Sequence, residues 1–337
     1  MKALVLHGPG SYRVESAWPD PTPAPGWGVV RVAYAGVCGS DLPRFAVTGS
    51  YHHPMILGHE FSGTVEAPAP GSTRFRPGDR VAVLPIIPCG KCEGCRTTGE
   101  PFHCSNYQFL GSRNDGGFAE YCLVPETNMF RLPPGVDLRT GAFIEPIAVG
   151  LHVVRRSGFR RNQSALVFGA GAIGLLVSSW LRVLGASRVV IADVRDESLA
   201  LARRLDFTEV LNPQHSDPPG AFDAIFEAAG SGRALVSAVA CARDKGTLTV
   251  VGRDVADTVI PHPVFEKLMR KELTLHGCWG YNLAGEEDFL FGALDRKDIV
   301  VAPMVTHEIS LSETPQTIAA MIERKFFYCK VMVRVSP

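Results

Sequence analysis

The chain has 337 residues, 46% of them hydrophobic and 20% charged, an ordinary composition for a globular protein of about two domains. Lysine plus arginine equal aspartate plus glutamate at 34 each, which argues against a nucleic-acid or membrane-surface partner, since either favours a basic excess. No run of about eighteen apolar residues appears and the N-terminus lacks a signal-peptide core, so a cytoplasmic location is expected, and nine cysteines in a reducing setting point to metal ligands before disulfides.

Glycine and proline break the first half into short apolar runs. "KALVL", "GVVRVAYAG", "FSGTVEAP", "RVAVLP" and "GFAEYCLVP" read as strands between turns. Near "TGAFIEPIAVGLHVVRRSG", residues 140–158, the apolar spacing becomes helical. From residue 165 strand and helix signals alternate: "ALVFGAGAIG", "LLVSSWLRVLGA", "RVVIADV", "DESLALARRLD", "FDAIFEAAG", "GRALVSAVACAR", "GTLTVVG" and "ELTLHGCW". That order predicts a parallel sheet covered by helices. The stretch 211–221, "LNPQHSDPPGA", is too short and proline-rich for a helix, so a loop is expected there. Two helical segments, around 285–296 and 312–325, precede a last strand, "CKVMVRV".

Three motifs carry chemistry. In "FGAGAIG" the glycines Gly169, Gly171 and Gly174 form G-x-G-x-x-G between a strand and a helix. The first permits the turn, the second lets backbone approach a pyrophosphate, and the third lets helix and strand pack. Ala172 and Ile173 open the helix, whose N-terminus faces the anion. Asp193 ends the next strand and would accept from ribose hydroxyls while repelling a 2′-phosphate. NAD is therefore expected over NADP, with Arg195 as a softening influence. In "CGKCEGCRTTGEPFHC", Cys89, Cys92, Cys95 and Cys104 are spaced to close a tetrahedral, structural Zn²⁺ site. The third motif is scattered. Cys38 in "GVCGSD", His59 and Glu60 in "LGHEFSG", and Glu145 in "FIEP" could supply a thiolate, an imidazole and a carboxylate to one open, catalytic zinc. Taken singly, a lone cysteine is usually a buried hydrophobe and a lone His-Glu pair usually lies on the surface.

"GVCGSD", "LGHEFSG", the four-cysteine lobe, "GGFAEY", "EP" and "GAGAIG" occur in this order over nearly the whole chain. Together they resemble the zinc-dependent medium-chain dehydrogenases, polyol dehydrogenase branch. The resemblance implies an α/β protein with a GroES-like β-rich catalytic domain at 1–148, a Rossmann doubly wound NAD-binding domain at 149–288, and a C-terminal return at 289–337. It implies one catalytic and one structural zinc, the catalytic ion held by Cys38, His59 and either Glu60 or Glu145, directly or through water. It also implies that Ser40 begins the proton relay from the substrate, although a plain turn serine is the simpler reading. Where many relatives have a relay histidine this chain has Pro43, so water, a nicotinamide-ribose hydroxyl, His52 or His53 must take its place. Phe118 and Trp279 fall in blocks expected at the substrate pocket. A homodimer or homotetramer is implied, paired through the strand "ELTLHGCW".

Within that branch, "CGSDLPR", "PMILGHEFSG", "GSRNDGGFAEY", "GAFIEPIAVGLH" and "RKELTLHGCW" resemble enzymes that oxidise a secondary alcohol of a sugar-alcohol phosphate. Sorbitol-type enzymes commonly carry an aromatic residue where Arg44 stands. An arginine suits a phosphate; its other reading is a surface salt bridge. The short segment "GYNLAGEED" after Trp279 keeps an unphosphorylated polyol, a cyclitol or an amino-cyclitol open as substrate.

Overall fold

The short apolar runs of the first half do become strands, and pairing rather than length gives them a core. The computed structural model describes all residues except Pro219, Asp254, Val255 and Pro337. They fall into two compact units, Met1–Glu145 with Val305–Pro337, and Pro146–Met304.

In the first unit, Ala3–Gly8 lies between Ser11–Glu15 and Met55–Ile56 in a three-stranded sheet. A seven-stranded sheet is organised around the long strand Trp27–Val37. One edge of that strand pairs with Glu60–Ala67, and Gly36 faces Glu60. The other edge is shared. Tyr121–Pro125 takes its first half, and the C-terminal strand Lys330–Arg334 takes its last half, with Val331 opposite Val37. The chain's last residues thus complete a sheet that the first 145 leave open. Leu4, Phe45, Met55, Phe61 and Phe118 fill the core between the sheets. Only Tyr121–Pro125 of the predicted "GFAEYCLVP" strand pairs as strand.

In the second unit the strands run all parallel, in the order Val210–Leu211, Arg188–Ala192, Ser164–Phe168, Phe222–Glu227, Ala242–Val250, Thr274–Gly277. Counted along the chain from Ser164, this is 3-2-1-4-5-6, the doubly wound order with its switch point beside the first strand. A loop joins Leu211 to Phe222, with no helix among its described residues. Helix Ala172–Val183 follows the glycine-rich turn. Gly174 sits where the helix meets the strand's end: a Cβ there would collide with the Gly169 carbonyl, so only glycine permits that approach. The helices Ile144–Arg156 and Ala172–Val183 pack through Trp180, which is fully buried, donates from Nε1 to the Ile147 carbonyl at 2.9 Å, and stacks on Phe289. No described helix is long and apolar enough to cross a membrane.

Trp180→Ala removes a buried ring and a satisfied donor, so it should cost about 3–5 kcal/mol. A guanidinium denaturation followed by far-UV circular dichroism checks this, and an unchanged midpoint contradicts the packing role.

Candidate metal centres and nucleotide loop

Cys38 follows the end of Trp27–Val37 and enters a turn whose geometry Asp41 fixes. Asp41 is fully buried; its Oδ2 accepts from the Cys38 N–H at 3.0 Å and its Oδ1 lies 3.4 Å from His59 Nδ1. Ser40 is exposed and donates from Oγ to Cys38 Sγ at 3.3 Å. His59 and Glu60 arrive at the start of the neighbouring strand Glu60–Ala67. Sheet pairing therefore brings the Cys38 segment beside His59 and Glu60 although some twenty residues separate them. The ligand atoms of Cys38, His59 and Glu60 all lie within 4.8 Å of one another.

Two residues that the sequence reading assigned no role hold this cluster. Lys330 comes from the C-terminal strand, is buried, and donates to both Glu60 oxygens at 2.8 and 2.6 Å. Gly36 makes that geometry possible, since a Cβ there would overlap Glu60 Oε2. The second is Asp41. With His59 Nδ1 facing Asp41, the other ring nitrogen is left for a metal, the usual arrangement of a ligating histidine. A lysine directly before the apolar, buried run Val331–Val333 was the available signal, because a buried ammonium requires a partner. The acid in "GVCGSD" was the other.

Charge follows geometry. Burial alone would lower the His59 pKa, but the Asp41 carboxylate and the Cys38 thiolate outweigh it and hold it well above the usual imidazole value. Lys330 is likewise raised: burial opposes its charge and Glu60 more than compensates. Glu145 is buried beside the same groups. Desolvation pushes its carboxyl up to about 7, Glu60 and Asp41 act in the same direction, and His59 and Lys330 oppose. With His59 neutral, as a ligand must be, and Glu145 protonated, Cys38, Asp41 and Glu60 set three negative charges against Lys330 alone, a net of −2. A divalent cation is the neutral completion of such a set. Cys38, His59 and Glu60 are the three whose ligand atoms converge.

The four-cysteine lobe fits zinc equally well. Cys92 Sγ lies 3.5 Å from Cys95 Sγ and 3.8 Å from Cys104 Sγ. Tetrahedral Zn–S bonds of about 2.3 Å place sulfurs about 3.8 Å apart. All four ligand atoms lie within 4.8 Å of one another, and none is in a disulfide. Backbone N–H groups of Cys95 and Ser105 bring the Cys92 thiol down to about 5, which favours the thiolate a metal needs.

In the nucleotide loop, Gly169 has φ +100°, and a Cβ on it would meet the Ala228–Ala229 backbone. Gly171 caps the helix that Ala172 begins, so the first-turn N–H groups, Ile173 and Gly174 among them, have no partner within the helix. Asp193 already accepts from Ala170 N–H at 2.7 Å and Arg195 N–H at 2.8 Å. It pins the glycine turn to the end of the next strand. Arg195 Nε stands 3.8 Å from the same carboxylate.

The predicted substrate residues are dispersed. Phe118 has no exposed surface and packs against Gly58 and Phe45 in the core, so its ring is a core element with no face for a ligand. Trp279, in the second unit, is 63% exposed. Arg44 is half-buried, 5.7 Å over the Tyr51 ring, with one long bond of 3.5 Å to the Gly49 carbonyl. No carboxylate among the described residues pairs with it. His52 contacts the Arg113 carbonyl of another loop at 3.2 Å, and His53 accepts from Ser50 N–H of its own loop at 3.4 Å. The sequence reading also left out Phe109, which faces the His59 ring at 5.6 Å.

Residues 24–134 match the family model "Alcohol dehydrogenase GroES-like domain" and residues 172–295 match "Zinc-binding dehydrogenase". Galactitol 1-phosphate 5-dehydrogenase of Escherichia coli K12 is 36% identical over 86% of this chain and 87% of its own. A crystal structure of galactitol-1-phosphate dehydrogenase from Escherichia coli matches with TM-score 0.91 and 34% identity, covering 99% of this chain and 100% of that one. Sorbitol dehydrogenase of Halalkalibacterium halodurans is 33% identical over 93% of this chain and 94% of its own. A Sinorhizobium meliloti 1021 structure bound to NADP matches with TM-score 0.91 and 29% identity over 99% and 98% of the two chains.

Metal analysis of the purified protein should find two zinc ions per chain, and Cys38→Ser should lose one of them together with turnover while keeping the ion of the four-cysteine lobe. A variant that keeps both ions refutes the ligand role of Cys38.

Proposed function

The chain belongs to the zinc-containing medium-chain alcohol dehydrogenases, polyol dehydrogenase branch, and on that premise we propose that it oxidises a secondary hydroxyl of a polyol phosphate with NAD, as galactitol-1-phosphate 5-dehydrogenase does. The general activity, zinc-dependent oxidation of a polyol or alcohol, follows from the family. The observation that carries the finer reading is Arg44, a guanidinium six residues after Cys38 at the start of the helical segment Arg44–Thr48, half-buried and without a carboxylate partner among the described residues.

Cys38, His59 and Glu60 would hold the catalytic ion, and Glu145 would exchange with Glu60 or act beside it. When bound, zinc supplies Lewis-acid polarisation of the substrate hydroxyl and lowers its pKa. The rest falls to the chain. Asp41 orients His59 and keeps its second nitrogen available. Ser40 Oγ, exposed and already bonded to Cys38 Sγ, takes up the hydroxyl proton and hands it to water or to a nicotinamide-ribose hydroxyl, since Pro43 can carry none. A nicotinamide held by the glycine loop would supply the hydride acceptor that turns the secondary alcohol into a ketone. Gly169, Gly171 and the first-turn N–H groups at Ala172, Ile173 and Gly174 hold the pyrophosphate. Asp193 favours NAD, because a 2′-phosphate would meet its carboxylate.

We also propose a homo-oligomer, at least a dimer, formed through the second unit's sheet edge. The strand Thr274–Gly277 is an edge strand with an outward Leu275, and Phe265, Met269 and Trp279 nearby in sequence are 48%, 53% and 63% exposed. An apolar edge of this kind invites pairing with a second copy.

A substrate panel read at the NADH absorbance band tests the substrate proposal: a hexitol 1-phosphate should exceed the free hexitol in kcat/KM, NAD should exceed NADP, and Arg44→Ala should raise KM for the phosphate ester alone. Equal rates on ester and free polyol sink the phosphate reading and leave the polyol class. For the assembly, sedimentation velocity should show a dimer or tetramer that a Phe265→Asp, Leu275→Arg double variant dissociates; a monomeric wild type contradicts it.

A further inference from the structure

Arg113 has no role in what precedes, yet it is placed with unusual care. Its guanidinium lies 4.0 Å over the Tyr51 ring and 4.3 Å over the Tyr107 ring. Its Nε is buried with no hydrogen-bond partner, and no carboxylate among the described residues forms an ion pair with it. Stacking on two rings stabilises a cation by about 0.5–2 kcal/mol per ring, but rings accept none of the five N–H donors in the plane of the fork. A desolvated donor without an acceptor costs about 1–3 kcal/mol. Such a group persists where a ligand completes it.

The second guanidinium is Arg44, which shares the Tyr51 ring and has one long bond of its own. Two like charges therefore meet on one ring without an anion between them. The cluster is tied to the catalytic centre by two routes. Arg44 opens the helical segment Arg44–Thr48, which follows the Cys38–Ser40 turn by one short helix, Asp41–Pro43. Arg113 rests on Tyr107, Tyr107 on Phe109, and Phe109 on the His59 ring, with ring centroids 6.4 and 5.6 Å apart in the last two steps.

We propose that Arg113, with Arg44, forms a subsite for the phosphate monoester of the substrate, Tyr51 and Tyr107 holding the Arg113 fork flat. This rests on the polyol-phosphate reading above and adds to it the residue that does most of the selecting. The charge count separates phosphate from carboxylate. A phosphate monoester carries about −1.5 to −2 at pH 7, which matches two guanidiniums; a carboxylate would neutralise one. A planar fork also meets two phosphate oxygens at once. On the same loop the buried Oδ1 of Asn114 has no donor, which suits a hydroxyl of the polyol chain.

The test uses the zinc-loaded enzyme with saturating NAD, galactitol 1-phosphate and galactitol as the probes, and Arg113→Gln and Arg113→Lys as variants. Arg113→Gln should lose about 10- to 100-fold in kcat/KM for the ester, mostly through KM, and stay within about twofold for the free polyol. Arg113→Lys, which keeps the charge and loses the fork, should recover part of the ester's KM. Inorganic phosphate should inhibit the wild-type enzyme competitively against the ester, which needs no variant to fold. Equal losses on both probes make Arg113 a structural residue and overturn the proposal. An ester preference that survives in Arg113→Gln overturns it while leaving the polyol-phosphate reading intact; a wild type with no ester preference overturns both.

Discussion

The first unit depends on one buried ion pair. Lys330 and Glu60 meet at 2.6 Å, their side chains 4% and 2% exposed. Taking two charges out of water costs several kcal/mol per ion, and their attraction repays it only with close to ideal geometry. Here the geometry is bidentate, and the sheet enforces it. Glu60 is opposite Gly36 on one edge of the strand Trp27–Val37, and Lys330 precedes Val331, which is opposite Val37 on the other. The side chains reach each other across that strand, and Gly36 is bare where they cross. Apolar replacements would serve stability as well or better. The pair is therefore understood through its neighbours. Cys38 and Asp41 surround Glu60 with further negative potential, and Lys330 is the one permanent cation among them. It sets how much charge remains for a metal to neutralise.

The same economy recurs elsewhere. Asp41 fixes the backbone at Cys38 with one oxygen and orients His59 with the other. Asp193 anchors the glycine turn through Ala170 N–H and Arg195 N–H, while its remaining lone pairs are those that a ribose would use. In each case one carboxylate holds the backbone beside a candidate ligand site. A ligand placed on such a group inherits the rigidity of the main chain, which is what a hydride transfer between two bound molecules requires.

Legibility in the sequence followed distance along the chain. The glycine turn and the cysteine lobe are local, each motif falling within sixteen residues; spacing pointed to the lobe, and spacing together with the flanking strand, helix and Asp193 pointed to the turn. The alternating strands and helices after residue 165, and the loop before Phe222, were readable from periodicity. The convergence of Cys38 with His59 and Glu60 was not readable from spacing; it came from resemblance, and the sheet register is its physical cause. Lys330 was invisible because its partner is 270 residues away, although a lysine in a buried strand was a clue. Phe118 was expected at the substrate pocket because its block resembles the family's, yet its ring has no exposed surface and packs in the core against Gly58 and Phe45. Arg113 carried no signal, since a guanidinium between two rings looks, in sequence, like any loop arginine.

Chemistry and selection thus rest on different kinds of structure. Glu60 lies in a paired strand and Cys38 and His59 flank the strand ends, so the ligands of that cluster are set by a register in which a shift of one residue would turn every strand side chain to the other face. The two arginines and the two tyrosines sit on segments that connect strands, where substitution leaves the ladder intact. On this view the substrate's hydroxyl is recognised by the metal centre common to the family and its charged end by two guanidiniums on one ring. The loss of either guanidinium would weaken binding of the ester without touching the oxidation step.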